Sequence, residues 1–156
     1  MSDVAEDGIR TGGNRGARAR VRARRCAVQA LYQWQMAGQD PRDILKEFVA
    51  DRELINVDMD YFQRLTRGIP ASVDVLEADL RGVVDRKLEE LDPIERAILL
   101  IGAFEMRYCV EVPWRVVINE AIELEKMFGA EQGHRYVNTA VDRLARAIRP
   151  TEVGSR

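Results

Sequence analysis

Between Arg10 and Arg25 the chain carries seven arginines and no acid: Arg10, Arg15, Arg18, Arg20, Arg22, Arg24 and Arg25. Guanidinium groups at this density suit forked contacts to phosphate and stacking on bases, and no lysine shares the segment. On a helix, Arg18, Arg22 and Arg25 share one face, while Arg20 and Arg24 form a neighbouring row at i, i+4. Like charges at that spacing repel, so a bound polyanion favours both ordering the segment and occupying it. A solvated extension that only aids solubility would carry the same run. Aromatic residues stand near these and other arginines: Tyr32 downstream, Trp114 beside Arg115, and Tyr136 beside Arg135. Exposed aromatics next to arginines are what single-stranded RNA binding uses, through base stacking and phosphate pairing. Trp34 falls on an apolar stripe and is expected in the core.

Catalytic constellations are poorly supported. Glu131-Gln132-Gly133-His134 matches the Glu-x-x-His spacing of carboxylate-bridged di-iron bundles, but that site needs two such motifs and the chain has one histidine. No serine or cysteine lies near His134 to act as its nucleophile, and neither GxxxxGK[ST] nor GxGxxG occurs. The expectation is a non-enzyme with no metal and no cofactor. Cys26 and Cys109 sit far apart on apolar helical patterns without a CxxC, which suits reduced, buried thiols.

The elements that must position these residues are helical. Ala27, Ala30, Leu31 and Trp34 fall at i, i+3, i+4, i+7 and place a helix over about 17–37, stopped by Gly38. Asp40-Pro41 opens a short helix buried through Ile44, Leu45 and Phe48. A third follows Asp58 and ends at Gly68; Pro70 opens a fourth. Asp92-Pro93-x-Glu95 is the clearest helix start, and the helix it opens is apolar nearly all round, so it should be the central one. Pro113 starts a sixth helix closed by Gly129, and a seventh begins at about Glu131 and is buried through Ile148, with Pro150 just beyond it. No alternating segment competes. The fold expected is all-α, about seven helices, with a disordered tail over 1–16, a single domain over 17–150 and a C-terminal tail over 151–156.

Composition is that of a globular protein: 156 residues, 46% hydrophobic and 32% charged, with a net charge of -2. The sum hides a gradient, since from Cys26 onward 17 basic residues face 23 acidic ones. A basic arm joins an acidic body. No apolar run approaches a membrane span, and the N-terminal arginines lead into no apolar stretch of a secretory signal, so a cytoplasmic location without membrane contact is expected.

Three stretches are more specific than composition. Residues 23–35 read ARRCAVQALYQWQ; residues 112–124 read VPWRVVINEAIEL, followed by Lys126, Phe128 and Gly129; then come Tyr136-Val137-Asn138 and Val141-Asp142. In this order, from about Arg18 to Pro150, the chain resembles the NusB family of bacterial transcription antitermination factors, proteobacterial type. The resemblance implies two small packed helical bundles. It also implies binding of boxA, a short single-stranded RNA element, together with the ribosomal small-subunit protein NusE, within the RNA polymerase antitermination complex. Carried over by position, RNA contacts fall on Arg20 and Arg24, with Arg18, Arg22 and Arg25 as neighbours, and on Trp114, Arg115, Gln132, Arg135 and Tyr136. Partner contacts fall on Tyr32, Glu89 and Glu95. Val21 stands where relatives carry another arginine, Arg25 where an acid is frequent, and Gln132 where an acid is common. Two other classes are compatible with the pattern. One is a helical protein-interaction adaptor with idle arginines. The other is the RNA-binding domain of an RNA methyltransferase, which would need a separate catalytic partner because the chain ends at Arg156.

Overall fold

In the computed structural model, the described residues are 2–130 and 132–154, with side chains from Gly16 onward. The side chains of Arg10 and Arg15, and Glu131 of the Glu-x-x-His match, lie outside them. Eight α-helices occur among the described residues: α1 Ser2–Ala37, α2 Pro41–Asp51, α3 Met59–Ala71, α4 Val73–Arg81, α5 Pro93–Tyr108, α6 Trp114–Phe128, α7 Gly133–Ile148 and α8 Pro150–Gly154. The fold class is all-α, as expected.

Helix starts follow local chemistry. Asp40 caps α2 by accepting from the Arg42 N–H, Asp58 caps α3 through the Tyr61 N–H, and Asp92 caps α5 through the Ile94 N–H. Pro41 and Pro93 take the first helical position, where a missing N–H costs nothing. Helix α1 ends where Gly38 adopts φ +65° and donates its N–H to the Trp34 carbonyl at 2.9 Å, a left-handed cap that favours glycine.

Helix α5 is central. It packs against α1, α3, α4, α6 and α7, and Ala97 to Met106 are buried without interruption. That explains its apolar circumference, since neighbours cover it on every side. The buried side chains form one continuous cluster from Ala23 in α1 to Val153 in α8, so α1–α3 and α4–α7 share a core through α5.

Three boundaries differ from expectation. The backbone of α1 is helical from Ser2, where a tail to residue 16 was expected; burial of its apolar face begins only at Ala23. Gly68 does not stop α3, which continues to Ala71 through Pro70. A Cβ at Gly68 would stand 2.6 Å from the Phe104 ring, so this glycine permits close packing of α3 on α5 rather than a turn. At the C-terminus, part of the expected tail folds as α8 and buries Val153. Arg149 explains how it docks. Its guanidinium donates to the carbonyls of Glu105, Met106, Cys109 and Val112, at 2.6–2.9 Å, gathering the acceptors at the end of α5 and in the turn that follows it. The interval 81–91 contains a 3-10 turn at Leu88–Glu90, pinned by buried Leu88 and Leu91.

Candidate nucleic-acid interface

The two arginine rows of α1 point in different directions. Arg18 and Arg25 are exposed, and neither pairs with a carboxylate among the described residues. Arg22 is half-buried, with Nη1 3.5 Å from the Asn56 carbonyl. The other row turns inward. Arg20 stacks on the Tyr61 ring, 4.3 Å from its centroid, and lies 3.7 Å from carboxylate oxygens of both Asp58 and Glu111.

Arg24 is only 3% exposed. Its Nε donates to Glu105 Oε2 at 2.9 Å, and Nη1 lies 3.9 Å from Glu120. The Tyr61 hydroxyl donates to the same Glu105 oxygen. Burial opposes the charge on Arg24, but the Glu105 carboxylate outweighs it and holds the guanidinium more firmly protonated. Burial pushes the Glu105 carboxyl up, against the pull of Arg24 and Tyr61. Arg24, expected as a direct RNA contact, is thus enclosed and paired, and it meets the cleft beside α6 only as part of its lining. The i, i+4 row that holds it packs onto α3 and α5, so its charge is spent inside the protein.

Beside the rows lies an open cleft of about 410 Å³ between α1 and the start of α6, lined by Arg18, Arg20, Val21, Pro113, Val116 and Glu120 among others. Trp114 and Arg115 follow Pro113 in the first turn of α6, outside the lining of the cleft. Trp114 is half-buried against the core, and Arg115 is exposed and covers the indole ring at 4.9 Å. Exposed Val110 and Val116 add apolar surface to this end.

The start of α7 forms a second region. Gln132 and Arg135 are exposed. Tyr136 is half-buried, its hydroxyl lacks a full hydrogen bond among the described residues, and Arg86 lies over its ring at 4.5 Å. Beneath it, Glu125 at the end of α6 is fully buried, with neither carboxylate oxygen fully hydrogen-bonded among the described residues. A Cβ at Gly129 or Gly133 would overlap that carboxylate, so both glycines make its room. Burial, reinforced by the charges of Glu95 and Asp92, pushes the Glu125 carboxyl up to about 7, with partial compensation from the Ala130 N–H. Composition offered no signal for this cluster, because an acid at a helix C-terminus reads as a solvated face.

The expected partner residues separate. Tyr32 is 40% exposed and lines an apolar groove of about 360 Å³ with Gln33, Met36, Arg52 and Ile94. The groove joins the end of α1 to the start of α5, where Gln35 donates to the Pro93 carbonyl at 2.9 Å. Glu89 is exposed and pairs with Arg81 at 3.1 Å. Glu95 is nearly buried, 9% exposed, and Oε1 has no hydrogen bond among the described residues; burial raises its carboxyl. Arg86, which no sequence signal marked, lies 3.9 Å from it.

Among the described residues no group of three or more His, Cys, Asp or Glu is arranged to hold a metal ion, and no helix is long and apolar enough to cross a membrane. Cys26 and Cys109 are free thiols.

Comparison with known proteins now adds to this geometry. The model of the NusB family matches residues 21–146. A protein of Hahella chejuensis named transcription antitermination protein NusB is 49% identical over 133 residues, covering 85% of this chain and 89% of that protein. One of the same name from Nitrosococcus oceani is 50% identical over 137 residues, covering 88% and 92%. Among solved structures, NusB of T. maritima superposes with a TM-score of 0.73 at 25% identity, covering 86% of this chain and 96% of that one.

Proposed function

The chain belongs to the NusB family, and on that premise we propose that it is a transcription antitermination factor that binds boxA single-stranded RNA together with the ribosomal protein NusE. The observation that carries this is the set of guanidinium groups on α1: Arg18 and Arg25 face solvent with half-buried Arg22 between them, and Arg18, Arg20 and Arg24 line the cleft at the start of α6. Arg18, Arg22 and Arg25 supply phosphate contacts, which dominate affinity and make it salt-dependent. Arg115 and Arg135 extend the basic track, and Trp114 and Tyr136 supply rings for unpaired bases. Arg24 serves at one remove: its pairing with Glu105 fixes the face of α1 that presents the outer row. Arg20, held by Tyr61, Asp58 and Glu111, is a partly committed contact at the rim of the cleft.

The partner takes the end of the molecule at the start of α5, next to the Tyr136 region. Tyr32, Met36 and Ile94 offer an apolar anchor groove, and the acids near the start of α5 complement a basic protein. Such a factor works in the cytoplasm, where RNA polymerase transcribes, and has no catalytic step.

Titration of a labelled boxA oligonucleotide at several salt concentrations, with and without NusE, tests this. Replacing Arg18 and Arg25 by alanine together should weaken RNA binding and flatten its logarithmic salt dependence by about one to two. NusE binding should stay intact. Equal binding of boxA and unrelated RNA, indifferent to these arginines, would leave the helical adaptor without RNA recognition.

A further inference from the structure

Arg86 touches both regions of the proposed function. It sits in the connection between α4 and α5, flanked by exposed Asp85 and Lys87. Its guanidinium covers one face of Tyr136 at 4.5 Å, and its Nη1 lies 3.9 Å from Oε1 of Glu95. One exposed cation therefore serves a ring assigned to RNA and a carboxylate assigned to the partner. The ring contact is a full cation–π approach, but the pairing with Glu95 is incomplete. The Glu95 contact is too long for a hydrogen bond, and Glu95 Oε1 and the Tyr136 hydroxyl are both buried without a full partner among the described residues.

We propose that Arg86 couples the two binding surfaces, lying over Tyr136 when Glu95 has no other cation and moving to an RNA phosphate when a basic partner engages Glu95. This rests on the function proposed above. The energetics follow from charge. Glu95 lies close enough to Asp92 and Glu125 for each to feel the other's charge, so this end of α5 attracts cations. A lysine or arginine of the partner there completes the Glu95 pairing and repels Arg86. Released, the guanidinium uncovers the Tyr136 face for a base and stands beside the nucleotide whose phosphate it can reach. The linkage is reciprocal: a phosphate that draws Arg86 away leaves Glu95 open, which strengthens binding of a cationic partner by the same factor.

The test compares wild type, Arg86→Ala, Arg86→Lys and Glu95→Gln. Anisotropy of a labelled boxA oligonucleotide is read at one salt concentration, with and without saturating NusE. In wild type NusE should tighten RNA binding. Arg86→Ala should cut that gain by at least about fivefold, the low end of ordinary coupling, without weakening RNA binding in the absence of NusE. Arg86→Lys keeps the charge but not the planar stack and should fall between the two. Adding Glu95→Gln to Arg86→Ala should cost no further gain, because the two act as one unit. Thermal melting confirms that these variants fold. A gain equal to that of wild type in Arg86→Ala overturns the proposal, as does an equal loss with and without NusE, which makes Arg86 a plain phosphate contact. Those outcomes leave the proposed function standing. RNA binding by wild type that NusE does not tighten removes the coupling and the shared-ligand function together.

Discussion

Two buried polar clusters sit at opposite ends of the central helix, and they are built differently. At the C-terminal end of α5, Glu105 is held by the Arg24 guanidinium and the Tyr61 hydroxyl, and the carbonyls around it are gathered by Arg149. At the N-terminal end, Glu95 and Glu125 are buried with unsatisfied oxygens, and the nearest cation, Arg86, only approaches. A completed network gives one arrangement; an incomplete one costs stability and leaves groups able to change partner. The first cluster belongs to the frame that orients α1. The second lies beneath the surfaces where ligands are proposed to meet.

The largest effect should come from breaking the completed cluster. Arg24→Ala leaves Glu105 buried without its cation and should destabilise the fold by about 3–5 kcal/mol in urea denaturation. The paired replacement Arg24→Met with Glu105→Leu should cost far less, because no charge is then stranded. An exposed, RNA-facing Arg24 would instead lose RNA affinity with little change in stability.

The incomplete cluster should respond to pH in the opposite sense to a paired carboxylate. The folded-state value of Glu125, about 7, lies above its ordinary 4.5, so the native state holds a proton that the unfolded chain releases between those values. Stability is then unreduced below pH 4.5 and falls as pH rises towards 7. Its neighbours Glu95 and Asp92 add to the shift, and Ala130 opposes it. Glu125→Gln should be more stable than wild type at pH 8 by about 2 kcal/mol and equal to it near pH 4. The difference between the two proteins isolates this group from Glu111, Glu89 and Asp40, whose lowered values act in the acid range. A pH-independent difference would mean that Glu125 is solvated.

The smallest effect tests the surface above that cluster. Gln132→Asp adds a negative charge at the exposed N-cap of α7, beside Arg135, and should weaken boxA binding several-fold at low salt without lowering stability, since an acid is favourable at a helix N-cap. Unchanged affinity at fixed salt would move the RNA path away from this loop.

Much of the fold was legible from local rules. Aspartate caps followed by proline mark α2 and α5, Gly38 ends α1, and apolar residues on all sides of α5 announce a central helix. Two of the three boundaries that differ are those where a residue serves a distant neighbour. Gly68 reads as a helix stop until Phe104 is placed against it, and α8 follows Pro150 because Arg149 and Val153 find partners on α5 and in the core. For the site, residue types and spacing located the arginine segment and the basic–aromatic pairs. They did not separate contact from scaffold.

The sequence alone determined that this chain is helical, that an acid-free run of seven arginines stands near one end, and that it shares the ordered motifs of its family. These are properties of neighbours a few residues apart, set by helical period, capping chemistry and charge. Tertiary structure alone decided which arginine row meets solvent and which acid is stranded. Arg24 and Arg25 are adjacent in sequence, yet one is enclosed by Glu105 of α5 and Tyr61 of α3 while the other faces water. The free energy of a charge depends on its solvation and its partners, and for Arg24 those partners lie 37 residues or more along the chain.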